Sequence, residues 1–205
     1  RFFRKDFSNG NNYGIDPNTC FVAGYSAGGV IAIHQAFIDD LTDLPPHVQN
    51  LASVIGGDLE GDAGNFGYSS EVQGVISLAG GINDINWIDG NDEPIVSAQG
   101  TADNTVNYYC GPGLNNPAIL TLCGSGEMHP KANAVGLHND ALIFSNEDHG
   151  WGVAGNSNPK FIQAIEFFSD FLYPLLPCNS TTASQEISSS RELMKIVDEY
   201  ISKNC

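Results

Sequence analysis

Residues 24–28 read Gly24-Tyr25-Ser26-Ala27-Gly28, a Gly-x-Ser-x-Gly run between a short apolar segment and a longer one. A serine hydroxyl is a weak nucleophile and needs an exposed seat on a tight turn with a base beside it. Flanking glycines let the turn form without side-chain clashes, and a helix opening behind the serine favours the negative charge that develops during attack. His149 is the base expected and Asp103 the acid that orients it. A serine, a histidine and an aspartate in those roles support acyl transfer without a metal or an organic cofactor.

The choice of Asp103 and His149 rests on where the chain places them. Asp103 follows the apolar run Pro94–Gln99, at the edge of a parallel sheet where active sites gather. Asp103-Asn104 is also ordinary turn chemistry, and Asp84, after the preceding strand, is a rival acid. Among five histidines, His34 falls inside the helix after Ser26, His47 follows two prolines, and His129 precedes Pro130 near a helix start. His138 stands before the last strand, at the wrong end of the sheet. Only His149 lies just past the carboxyl end of a strand, with Gly150 beside it. A surface loop histidine is the plainer reading of the same position.

Those three side chains need a scaffold of alternating strands and helices. Strands are expected at Cys20–Ala23, Val72–Leu78, Pro94–Gln99 and Ala141–Ser145. Helices are expected at 1–8, from the elbow to Phe37, near Val48–Ile55, at Ser125–Val135 and at 159–173. In the last of these, Phe161, Ile165, Phe168 and Leu172 recur at helical spacing. Ser189-x-x-Glu192 is a capping-box pattern before a final short helix. Such alternation predicts an α/β protein, a mostly parallel sheet with helices on both faces. It is read as one domain over residues 1–177, with a tail over 178–205 that packs on it. Only about four strands are visible, few for this architecture, and the chain opens on what looks like the middle of a helix. Both features suggest a fold that is incomplete at its N-terminus.

Eight basic residues against 24 acidic ones give a net charge of −16, which argues against partners carrying phosphate backbones or anionic lipid. No apolar run approaches the roughly 20 residues that span a bilayer. None of the five cysteines forms a CxxC pair, so a structural zinc site is not expected. Cys110 and Cys123 bracket one loop and Cys178 and Cys205 bracket the tail, and both pairs are read as disulfides, with Cys20 a buried free thiol. Two disulfides favour a secreted or periplasmic setting. Five free thiols in a cytosolic protein is the competing reading. Asn179-Ser180-Thr181 is a sequon of a kind common by chance.

The order Ser, Asp, His is that of α/β-hydrolases and differs from chymotrypsin-like and subtilisin-like proteases. Gly24-Tyr25-Ser26-Ala27-Gly28-Gly29, preceded by Gly14-Ile15-Asp16-Pro17, resembles the elbow region of bacterial α/β-hydrolase carboxylesterases. The run from Pro94 to Val106 resembles their acid-bearing strand and loop, and Trp87-Ile88 and Asp148-His149-Gly150-Trp151 fit the same pattern. The likeness covers about residues 1–175 and implies the α/β-hydrolase fold and a serine esterase. Many members have His-Gly where this chain has Gln99-Gly100, a change behind the site that is expected to be harmless. The family's first strands and oxyanion loop have no counterpart here, so a preceding segment or a separate chain is expected to complete the fold. Of the two oxyanion donors, one is assigned to the amide of Ala27 and the other to that absent loop. The substrate implied is a small-molecule or polysaccharide-linked ester. Tyr25, Trp87 and Trp151 are candidate substrate contacts, and Tyr68 and Tyr108 are further aromatic candidates. A peptidase on the same fold and a non-catalytic binding protein remain the alternatives.

Overall fold

A computed structural model describes residues 1–55, 59–61 and 64–177. Four parallel strands form the main sheet: β1 (Val22–Tyr25), β2 (Val75–Leu78), β3 (Ile95–Gly100) and β6 (Asn139–Phe144), in the order β1-β2-β3-β6. The intervening β4 (Cys110–Pro112) and β5 (Thr121–Cys123) make a separate antiparallel ribbon. Among the described residues five α-helices accompany them: α1 (Phe2–Ser8), α2 (Ala27–Phe37), α3 (Pro46–Ile55), α4 (Ser125–Val135) and α5 (Pro159–Leu172).

Each strand's alternation divides the core in two. Val75 and Ile95 face one way and pack with Ala32, Ile33, Ala36 and Phe37 of α2 and with Met128 and Ala132 of α4. Leu78, Val96 and Ala98 join a second cluster with Phe144, Trp151 and, from α5, Ala164, Phe168 and Phe171. The sheet therefore lies between α2 and α4 on one face and α5 on the other, the arrangement that an alternating strand–helix order demands. All six residues of β3 are buried, because a central parallel strand is covered on both faces.

The strand bounds differ from expectation at every end but one, the close of β2 at Leu78. The first sits two residues further along than Cys20–Ala23: its ladder starts at Val22↔Val75 and runs through Gly24 and Tyr25. Ahead of it, Gln73 bonds Cys20 twice, its N–H donating to Cys20 O and its side chain accepting from Cys20 N–H (2.8 Å each), so a side chain stands in for one ladder bond. Cys20 is half-buried, not buried, because it precedes the strand and stays outside the core. The β4–β5 ribbon was not foreseen in a loop of glycine, proline and asparagine. It pairs Cys110 directly with Cys123, and these two residues form a disulfide. The Cys178–Cys205 pair, the sequon and the capping-box helix lie outside the described residues. Among the described residues no helix is long and apolar enough to cross a membrane.

Candidate active site

Ser26 stands between the last residue of β1 and the first of α2, at φ 57° and ψ −120°. That backbone region is rare for any residue with a side chain and costs about 1–3 kcal/mol, so the surroundings must impose it. They do so from two sides. Ser26 N–H donates to Leu78 O (2.8 Å), extending the β1–β2 ladder one residue past the strand. Gly24 lies so close under the helix that a Cβ would stand 2.1 Å from the backbone of Gly28. Ala27 N–H opens α2, one of the amides at a helix start that have no intrahelical acceptor.

Asp103 and His149 arrive from two other strands. Asp103 comes three residues after β3 and His149 five after β6, so both join Ser26 at the carboxyl edge of the sheet. Main-chain bonds stitch their loops together: Thr101 N–H to Phe144 O (3.0 Å) and Ala102 N–H to Glu147 O (2.9 Å). His149 Nε2 lies 2.7 Å from Ser26 Oγ, and Nδ1 lies 2.8 Å from Asp103 Oδ2. A carboxylate only accepts, so Nδ1 carries the proton and Nε2 is left to accept from the serine hydroxyl. Asp103 is 3% exposed, and its second oxygen accepts from Thr105 N–H and Val106 N–H (2.9 Å each). One Asp103 oxygen thus caps the turn, and the other faces the imidazole.

The rivals are occupied elsewhere. Asp84 is exposed and caps its own turn through Asn86 N–H (2.9 Å). His34 is bonded by Nδ1 to Val30 O (2.7 Å), accepts from Asn83 N–H (3.3 Å), and is held neutral by burial, which lowers its pKa. His129 is buried with Ser97 and Asn139, and burial lowers its pKa too. His138 stacks on Phe171 (4.6 Å), and His47 is exposed on α3.

The three aromatic candidates occupy three different settings. Tyr25 donates its hydroxyl to His149 O, and its ring lies 5.7 Å from the imidazole. Burial raises the pKa of that phenol, ahead of an opposing contribution from the Gly152 backbone, so it stays protonated and able to donate. Trp151 is 3% exposed and packs on Phe144 (4.7 Å) in the core beneath the histidine loop. Trp87 packs edge-on against His34 (5.4 Å). What the residue types did not reveal is the support behind Asp103: two backbone amides and, through Val106, the buried Gln99. Among the described residues no cluster of three or more His, Cys, Asp or Glu could hold a metal ion.

No family model matches the chain, and no curated protein is similar to it in sequence. Solved structures are similar in fold. Esterase 2 of Thermogutta terrifontis, phosphonylated by cyclosarin, has a TM-score of 0.58 at 17% identity over 85% of this chain and 61% of its own. The same esterase with propionate bound has a TM-score of 0.59 at 17% identity over 90% of this chain and 65% of its own. A truncated carbohydrate esterase from gut microbiota has 0.56 at 19% identity, over 83% and 65%. The chain thus spans less than two thirds of the length of the structures it matches. A parallel sheet between helices, with serine, aspartate and histidine at its carboxyl edge in that order along the sequence, gives this chain the α/β-hydrolase fold.

Proposed function

We propose that this protein is a serine hydrolase that cleaves carboxylic esters through an acyl-enzyme. The observation that carries the reading is the unbroken series Ser26 Oγ, His149 and Asp103, bonded at 2.7 and 2.8 Å with the serine on a positive-φ turn. In this reading His149 Nε2 takes the hydroxyl proton as Ser26 Oγ attacks the carbonyl carbon. The tetrahedral oxyanion collapses, and His149 returns the proton to the departing alcohol. Water, activated by the same nitrogen, then releases the acid. Asp103 keeps the imidazole in the tautomer that accepts from serine and stabilises the imidazolium.

Ala27 N–H serves as one oxyanion donor. The substrate is a small-molecule ester or an ester on a carbohydrate. Supporting this are the phosphonylated and propionate-bound esterase and the carbohydrate esterase that share the fold. The Cys110–Cys123 disulfide supports an extracytoplasmic location.

Fluorophosphonate labelling of the full-length protein, with mass mapping, tests the reading. Stoichiometric label on Ser26 is expected, with Ser26→Ala losing label and about 10⁴-fold or more of its esterase turnover while remaining folded. Folded wild type that takes no label would overturn it. A panel of esters and peptides then separates esterase from peptidase.

A further inference from the structure

Gln99 is the fifth residue of β3 and is fully buried, yet none of the proposed chemistry uses it. Its amide is satisfied at both ends. Oε1 accepts from Ser125 N–H at the start of α4 (2.7 Å), and Nε2 donates to Val106 O (2.8 Å). Val106 in turn gives its N–H to Asp103 Oδ1 (2.9 Å) and is 3% exposed. Three buried groups therefore stand in line: Gln99, Val106 and Asp103, with His149 beyond. The fit around the amide is close, since a Cβ on Gly124 would stand 2.6 Å from Oε1.

We propose that Gln99 is a positioning residue for Asp103: its amide fixes Val106, and Val106 aims the carboxylate at His149. This rests on the acyl-transfer reading. An apolar side chain of similar size would fill the same volume, but it would leave Ser125 N–H and Val106 O buried without partners. Asp103 leaves the strand three residues after β3, in a loop of Thr, Ala, Asp and Asn with few apolar anchors. Gln99 supplies the anchor by tying that loop to α4. A second buried network offers an internal comparison. Ser97, two residues earlier on the same strand, bonds His129 (2.6 Å), which bonds Asn139 (2.7 Å), and Asn139 has no bond to the Asp103 loop among those described.

The test uses the full-length protein with Gln99→Met, Gln99→Glu and, as the structural comparison, Asn139→Ala. Three readouts are taken: the fluorophosphonate labelling rate at Ser26, kcat and KM on a chromogenic ester, and the downfield proton resonance of His149 Nδ1–H. Gln99→Met is expected to lower the labelling rate and kcat by about 10- to 100-fold, leave KM within about twofold, and displace or abolish that resonance. Asn139→Ala is expected to lower Tm while leaving all three readouts unchanged. If Gln99→Met does not fold, Gln99→Glu decides, because it keeps the acceptor for Ser125 and loses the donor to Val106 once ionised. A folded Gln99 variant with wild-type labelling and an unmoved resonance overturns the proposal, as does one whose loss is confined to KM. Wild-type protein that takes no label sinks the acyl-transfer reading instead, and that is seen before any variant is compared.

Discussion

The Tyr25 hydroxyl touches the main chain of His149, not open space, and that one contact changes what the residue next to Ser26 is for. The histidine loop has no strand or helix of its own at this point, so its position depends on such ties. Tyr25 grips it from the elbow side, Asp103 from the other, and Gly152 folds against the phenol so closely that a Cβ there would lie 3.2 Å from Tyr25 Cε2. Tyr25→Phe keeps the ring and removes only the hydroxyl. A hydrogen bond of this kind contributes about 1 kcal/mol, so the Ser26 labelling rate is expected to fall about fivefold with the fold intact. Stopped-flow labelling with circular dichroism on the same sample checks it. An unchanged rate would return Tyr25 to the role of pocket wall.

At the scale of elements, the elbow works because β1 and α2 approach more closely than any side chain on Gly24 allows. Gly24→Ala would push a Cβ into the Gly28 backbone, which has no flexible end to yield. Overpacking in a core typically costs about 1–3 kcal/mol, and a clash with backbone belongs at the upper end. Urea denaturation should give a loss of about 3 kcal/mol, with Ser26 no longer reactive; a midpoint within error of wild type would contradict the account. This element also marks what could be read from residue types. Gly24, Ser26 and Gly28 announced the turn, and the runs ahead of Asp103 and His149 placed both at one sheet edge. Helix α4 was legible to the residue, and α5 to within one. Strand ends were not, since a parallel ladder continues through Gly24 and Tyr25 by backbone bonds that no side chain signals. The β4–β5 ribbon escaped because three-residue strands carry no period, and cysteine spacing indicated closure without pairing type. Nothing in the residue types marks Gln99, because its two partners lie 7 and 26 residues further along the chain.

Across the whole molecule, a cluster of carboxylates lies at the end of the sheet opposite Ser26. The serine, aspartate and histidine crowd the carboxyl edge, whereas Asp39, Glu71, Asp92 and Glu93 lie beyond the amino ends of β2 and β3. Asp39, Glu71 and Glu93 line a cavity of about 370 Å³ there, together with Glu60. Burial, reinforced by Asp89, Asp39 and Glu93, pushes the Asp92 carboxyl up to about 7, against an opposing hydrogen bond from Asp89 N–H (2.6 Å). A carboxyl whose pKa is higher folded than unfolded holds its proton better in the native state. Between about pH 4 and pH 7 the folded chain therefore binds more protons than the unfolded one, and stability falls as pH rises through that window. Above it the whole penalty is present. Asp92→Asn keeps an oxygen for Asp89 N–H and removes the charge. It should stabilise the protein by about 1–2 kcal/mol at pH 8, the shift being discounted for partial exposure, and by little at pH 4. Urea melts at the two pH values measure the difference. An equal gain at both would mean that Asp92 acts through packing, and no gain at either would mean that its carboxylate is well solvated. In every case Ser26 labelling at pH 8 should stay at the wild-type rate, because the sheet separates this cluster from the elbow.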